Sequence, residues 1–71
     1  MITYNDLTPI ERYSILKIAD GEKLHISDAK VHLLELGLIT GSGVDFALTE
    51  AGAAVVRPLR YGLKLNIAKF D

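Results

Sequence analysis

The stretch LELGLITGSGVDFALTEAG, residues 34–52, decides the fold of this 71-residue chain. Gly37 interrupts an apolar helical pattern, and glycine readily adopts the left-handed conformation that ends a helix. A Gly-Ser-Gly turn cluster at 41–43 then separates two apolar segments, of which the second covers 44–48. Thr49 can cap the free backbone N–H groups of a following helix. The stretch therefore predicts a helix end, a β-hairpin with a very short tip and the start of a new helix.

A first helix is predicted from Pro9 to about Asp20. Thr8 suits the N-cap, proline suits the first helical position because its missing N–H would be unpaired there anyway, and Glu11 completes a capping box. Asp20-Gly21 is a turn signal that ends the helix. Helical spacing predicts a buried stripe on it. That stripe consists of Ile10, Tyr13, Leu16 and Ala19, with Ile15 and Ile18 beside it.

A second helix is predicted from Ser27 to Leu36, after a short extended segment at 24–26. Ser27 is the predicted N-cap, and Asp28 lies in the first turn, where the helix dipole favours negative charge. Helical spacing predicts that Val31, Leu34 and Leu38 face the core, and Leu33 and Leu36 widen this apolar stripe. The outward positions are then Asp28, Lys30, His32 and Glu35.

The third helix is predicted from the Thr49 cap to about Arg57, and Pro58 stops it. From Tyr61 to Ile67 apolar and polar residues alternate, which is typical of a strand with one buried face. A short helix is the competing interpretation, and it would use Leu63, Ile67 and Phe70. The expected fold class is therefore α+β, with helix, helix, β-hairpin, helix and C-terminal strand in a single domain over 1–71.

Composition excludes several classes of protein. A chain this short buries only about 60% of its unfolded surface, so it holds one small core. It has no cysteine, which excludes a disulfide framework and a thiolate metal site. No apolar run approaches the roughly 18 residues of a membrane span, and no secretory signal pattern is present, so a cytoplasmic location is expected. The sequence carries no phosphate-binding glycine loop, zinc helix or nucleophile motif, so neither catalysis nor a cofactor is expected.

The net charge of −1 conceals an uneven distribution. Residues 1–50 carry four basic and eight acidic side chains, whereas residues 51–71 carry four basic side chains and one acidic. The first part therefore has a net charge of −4 and the second a net charge of +3. An anionic partner is expected to meet the second part.

Residues 34–52 resemble the second half of the winged helix-turn-helix domain of MarR-type bacterial regulators. In that family the recognition helix ends in an L-x-x-x-G-L-I phrase, and the β-wing and an L-T-E-A-G phrase follow. The resemblance covers about residues 8–57 and implies a winged-helix-like fold and a DNA-binding transcriptional regulator. Only about six residues separate the first helix from Ser27, where the family places another helix, so the helix-turn-helix is truncated.

Double-stranded DNA is the first partner predicted on this basis. The candidate contacts are Lys30 and His32 on the second helix, Arg57, Arg60 and Lys64 on the phosphates, and Ser42 and Gly43 through the backbone of the wing. Asp28 and Glu35 oppose this prediction, because they lie on the same helix face and phosphates repel carboxylates.

A protein-interaction module or inhibitor is the alternative. On this interpretation Asp28, Glu35 and Asp45 form an acidic patch that faces a basic protein surface. A homodimer is compatible with both functions. The strand predicted over 61–67 has one apolar side, and its unpaired backbone groups could pair either with the hairpin of the same chain or with a second chain.

Overall fold

The computed structural model of the protein describes residues 2–24, 27–60 and 65–68. Within these ranges a short 3₁₀ helix at Tyr4–Asp6 precedes three α-helices and one two-stranded antiparallel sheet. The elements are α1 (Pro9–Ala19), α2 (Ser27–Glu35), β1 (Ile39–Ser42), β2 (Asp45–Leu48) and α3 (Glu50–Val56). The predicted α+β class and the order helix, helix, hairpin, helix are confirmed.

α1 begins with the predicted capping box. The Glu11 N–H donates to Thr8 Oγ1 over 3.3 Å, and the Thr8 N–H donates to Glu11 Oε1 over 2.8 Å. Asp20 follows Ala19 as the C-cap. These reciprocal bonds satisfy donors that a helix start otherwise leaves unpaired, so the sequence locates this helix closely.

The predicted buried stripe of α1 is wrong at two positions. Ile15 and Ile18 are fully buried, whereas Ile10 and Tyr13 are exposed. Residues five apart, such as Ile10 and Ile15, lie about 140° apart around a helix, so a single core-facing side cannot take all the apolar residues. The side that packs inward also carries Ser14, whose hydroxyl donates to the Ile10 carbonyl over 2.7 Å.

The predicted inward face of α2 is confirmed at Leu33 and wrong at Val31 and Leu34. Ala29 and Leu33 are buried, while Val31 and Leu34 keep 54% and 41% of their surface exposed. Leu38 is buried as predicted, but it lies beyond the end of α2. Gly37 is in the left-handed conformation, with φ of 74°, and this turn rather than the helical period directs Leu38 into the core.

The hairpin is confirmed with a two-residue tip. Ile39 pairs with Leu48 at its base and Ser42 pairs with Asp45 at its end, so that only Gly43 and Val44 lie between the strands. Leu24, which was predicted to be extended, donates its N–H to the Val44 carbonyl over 3.0 Å. The other two residues of that segment, His25 and Ile26, lie outside the described residues.

α3 starts where its cap was predicted and packs directly on the chain before the hairpin. The Thr49 hydroxyl accepts from the Gly52 N–H over 3.2 Å and donates to the Gly37 carbonyl. The Thr49 N–H donates to the Leu38 carbonyl over 3.0 Å. A Cβ on Gly52 would lie 1.9 Å from that same Leu38 oxygen, so only glycine fits this position. We call this contact between 37–38 and 49–52 the Leu38 junction.

The predicted C-terminal strand is represented in the described residues by one bridge. Ile67 and Leu48 form an isolated parallel β-bridge, and Leu48 exchanges hydrogen bonds with the backbone of Asn66 and Ala68. The competing helix is therefore wrong at Ile67, while residues 61–64, 69 and 70 lie outside the described residues. The Asn66 side-chain amide also donates to the carbonyls of Ile18 and Phe46.

The core lies where the three helices meet the hairpin. Its fully buried large side chains are Ile15, Ile18, Leu24, Leu33, Leu38, Leu48 and Val56. In the described ranges no helix is long and apolar enough to cross a membrane.

We expect Gly52→Ala to destabilise the protein by at least about 3 kcal/mol, because the new methyl group meets a backbone carbonyl that cannot move without displacing α3. Alanine is otherwise the better helix former, so helix propensity alone predicts a gain in stability. Urea unfolding followed by circular dichroism measures the difference.

Gly21→Ala is the matched control. Gly21, unlike the helical Gly52, has a positive φ of 82°, but no atom lies within 4 Å of its added Cβ, so only the backbone conformation costs about 1–2 kcal/mol. Equal losses for the two variants, or a stability gain for Gly52→Ala, would contradict the close approach at the Leu38 junction.

Candidate interaction surface

α1 and α2 are joined by a pair of side chains that the sequence did not indicate. Nδ1 of His32 contacts Oε2 of Glu11, and the Glu11 side chain is only 6% exposed whereas that of His32 is 51% exposed. The other oxygen of Glu11 accepts the Thr8 N–H. The imidazole therefore closes the outer side of a carboxylate that the N-cap already holds in place.

Opposing effects act on the pKa of Glu11. Burial raises this pKa. The hydrogen bonds from the Thr8 backbone, from His32 and from the Thr8 hydroxyl, together with the charge of His32, lower the pKa, and their combined effect exceeds that of burial. The net result is a pKa below the ordinary glutamate value. The charged carboxylate is thus the form that the folded chain prefers.

α2 is also attached to the hairpin. The ammonium group of Lys30 donates to the Gly43 carbonyl over 2.9 Å and lies 5.6 Å from the centre of the Phe46 ring. Lys30 and His32 were both predicted to contact DNA. In the structure they contact the two neighbours of the helix, the hairpin on one flank and α1 on the other.

The exposed face of α2 lies between these two attachments. Val31 and Leu34 are exposed on successive turns, and Glu35 is exposed beside them. We call Val31, Leu34 and Glu35 the α2 face. Ile10 and Tyr13 are exposed on α1, where Ile10 directly precedes the carboxylate that His32 contacts.

The residues of the predicted acidic patch lie on two different elements, α2 and β2. Asp45 lies on β2 and forms an ion pair with Lys23, at 3.4 Å, on the hairpin side of the molecule. Glu35 is five residues from Lys30, the residue that reaches the hairpin, and therefore about 140° away around α2. The side chain of Asp28 lies outside the described part of the chain.

The residues predicted to contact phosphates differ in their exposure and in their ion pairing. Arg57 is exposed at the C-cap of α3, whereas Arg60 donates to Asp20 over 3.0 Å, and Lys64 lies outside the described residues. Ser42 and Gly43 are exposed at the end of the hairpin, as predicted. Arg57 forms no ion pair with an acid of the described ranges, whereas Arg60 is paired with Asp20.

In the part of the chain that the structure describes, no three His, Cys, Asp or Glu side chains are placed to hold a metal ion.

Sequence reasoning missed two of the residues that position these surfaces. The capping box identified Glu11 as a hydrogen-bond acceptor, but its burial depends on α2 packing against it. Asn66 connects α1, β2 and its own segment, and a single asparagine in an alternating pattern gives no signal of such a role.

In comparisons with known proteins, no family model, no curated protein and no solved structure matches this chain.

We expect Glu11→Gln to lower stability at neutral pH by about 1.5–3 kcal/mol, because the buried bonds to Thr8 and His32 lose their charge. The folded-state pKa of Glu11 is lowered, so its contribution is present above the ordinary pKa and is lost as the pH falls through the lowered value. The difference between wild type and variant should therefore close in acid. Urea unfolding at a series of pH values measures it.

Glu35→Gln is the control, since Glu35 is exposed and should change stability by less than about 0.5 kcal/mol at every pH. The pKa of Asp6 is also lowered, by hydrogen bonds from Thr3, but Asp6 is present in both proteins and cancels in the difference. A Glu11→Gln difference that does not depend on pH would show that the carboxylate charge contributes nothing.

Proposed function

We propose that this chain is a protein-interaction module of winged-helix-like shape that binds its partner through the α2 face. The observation that carries the proposal is the exposure of Val31 and Leu34 on successive turns of α2. The winged-helix-like description rests on the order of α2, a hairpin with a two-residue tip, and α3. It is also supported by the contact between Lys30 and the hairpin, which lies beside α2 as a wing would.

Apolar contact is the main source of affinity in this proposal. Complete burial of a valine or leucine side chain contributes about 1.5–3 kcal/mol, and each of these two has about half of its surface left to bury. Two such residues beside one carboxylate suit a partner surface that presents an apolar depression with a basic rim. Glu35 supplies the charge that would select the orientation.

A rigid support favours this use of α2. The Glu11–His32 pair fixes one flank of the helix and the Lys30 bond to Gly43 fixes the other. A surface that is already held in its bound conformation loses less conformational entropy on association. Lys30 and His32, the candidate DNA contacts on α2, both make these contacts within the chain, which favours protein contact over DNA contact for this helix.

DNA-binding transcriptional regulation is the second candidate function. It is favoured by the exposed hairpin end at Ser42 and Gly43 and by the exposed guanidinium of Arg57. In this alternative the protein holds the phosphate backbone, and the α2 face contributes little.

We expect the double change Val31→Ser and Leu34→Ser to abolish partner binding while the protein remains folded with a modestly lower melting temperature, because about half of each side chain is exposed in the free protein. Tagged wild type and variant are compared by quantitative affinity capture from host lysate. Leu59→Ser is the control, since Leu59 is similarly exposed, at 49%, but follows the end of α3 and is not part of the α2 face. The proposal requires a partner that the double variant loses and the control keeps, and a partner retained by both would contradict it.

Binding of random duplex DNA tests the second candidate. If the protein grips phosphates, its affinity should fall steeply between low and physiological salt, and Arg57→Ala should reduce both the affinity and the salt dependence. Fluorescence anisotropy with a labelled duplex measures this. The Glu22→Ala variant, which changes an exposed acid beyond α1, is the control. Absence of binding at the lowest salt would eliminate this function.

A further inference from the structure

An apolar groove runs along α3 on the side that faces the N-terminal segment. It consists of two adjoining cavities of about 350 and 260 Å³, and both are lined by Ile2 and Ala54. The larger cavity continues past Pro58 and Leu59, and the smaller one continues past Ala51 to Leu36 and Leu38. The groove therefore extends to both sides of Ala54 along the helix.

The exposed face of α3 has an ordered arrangement of charge and apolar surface. Ala54 is exposed at its centre, with Glu50 and Arg57 on one flank and the groove on the other. Glu50 and Arg57 are seven residues apart, which is two helical turns and about 10.5 Å along the axis. The flank therefore presents one negative and one positive end with Ala54 midway between them.

This arrangement is complementary to itself. When two copies of a helix pack antiparallel about a two-fold axis, a given flank of one helix lies beside the same flank of the other. The N-terminal end of that flank in one copy is then opposite its C-terminal end in the second copy. With the axis at Ala54, Glu50 of each copy lies opposite Arg57 of the second copy. The small side chain of Ala54 lets the two helices approach closely at the crossing point.

The same two-fold rotation also brings the groove of each copy against a matching apolar side chain of the other. The C-terminal end of α3 in the second copy lies over the N-terminal half of the groove. Leu59, which is 49% exposed, is at that end, and the 260 Å³ cavity beside Ala51 is opposite it. An exposed leucine and an open apolar cavity thus meet twice in one symmetric arrangement.

We propose that a second copy of this chain occupies the groove, with the two α3 helices antiparallel. Leu59 of each copy fills the cavity beside Ala51 of the other, and the Glu50–Arg57 pairs fix the register. The α2 face takes no part, so this inference stands apart from the proposed partner interaction.

The dimer expected from this surface is weak. α3 has seven residues, and a contact centred on it falls in the low range of interface sizes, below about 1,200 Å² in total. Association at high micromolar concentration is consistent with such an area, since size and affinity are only loosely related. The monomer is then the main species in dilute solution.

A dimer formed by pairing of C-terminal strands needs unpaired backbone groups, but the N–H groups of residues 66–68 are hydrogen-bonded within the chain. The backbone N–H groups of Asn66, Ile67 and Ala68 all donate within the chain, to Ala19, Leu65 and Leu48. The remaining residues of the segment predicted to pair with a second chain lie outside the described ranges. Among the described elements, we therefore assign α3 to the dimer contact, because its charged flank and its groove are each complementary to those of a second copy.

Sedimentation equilibrium from micromolar to millimolar protein tests the proposal. The wild type should approach twice the 7.8 kDa monomer mass as its concentration rises. Glu50→Arg and Arg57→Glu should each weaken association by about tenfold, because the two-fold axis turns each single reversal into two repulsive contacts. The double reversal should restore association. Glu22→Arg, an exposed reversal away from α3, should leave it unchanged.

Leu59→Ser supplies an independent test of the groove, and it should also weaken the dimer by about tenfold or more. Thermal unfolding of every variant verifies that the monomer is folded. A wild type that stays monomeric at millimolar concentration would overturn the proposal. The proposal would equally be overturned if both single charge reversals left the dimer intact, or if the double reversal failed to restore association.

Discussion

The carbonyl oxygen of Leu38 accepts a hydrogen bond from the Thr49 N–H over 3.0 Å, and the Cα of Gly52 rests against the same carbonyl. This close approach of two backbone segments fixes where α3 lies relative to the end of α2. The hairpin connects the two segments, so its base is closed by the same contact. Because Leu38 and Leu48 are fully buried on either side, the helices and the sheet share one core around this point.

Local signals in the sequence predicted the elements well. The caps at Thr8 and Thr49, the helix end at Gly37 and the turn cluster at 41–43 each depend on residues within a few positions of one another. Such interactions are formed by the segment itself, so a sequence can specify them without knowledge of the fold. The same reasoning located the hairpin and its short tip.

The faces of the helices could not be predicted in the same way. α1 and α2 both have more apolar residues than one buried side can take, and the exposed set (Ile10, Tyr13, Val31 and Leu34) is chemically similar to the buried set. Which set turns inward is decided by contacts between elements, notably Glu11 with His32 and Lys30 with the hairpin. Lys30 and His32 were expected to face a ligand, and in the structure they connect α2 to its neighbouring elements. The candidate site therefore differs from the one that the sequence predicted. The C-terminal segment shows the same limit, since the role of Asn66 depends on α1 and β2 being assembled.

The Leu38 junction is the central structural claim, and amide hydrogen exchange measured by NMR tests it most directly. The Thr49 N–H lies between two segments that pack closely, so it should exchange only through global unfolding, at a rate set by the full stability of the protein. The Gly43 N–H at the exposed end of the hairpin is an internal reference for local opening. Exchange of Thr49 as slow as that of the most protected core amides is the predicted result. Exchange as fast as that of Gly43 would contradict the account, because the junction would then open while the rest of the fold stays intact.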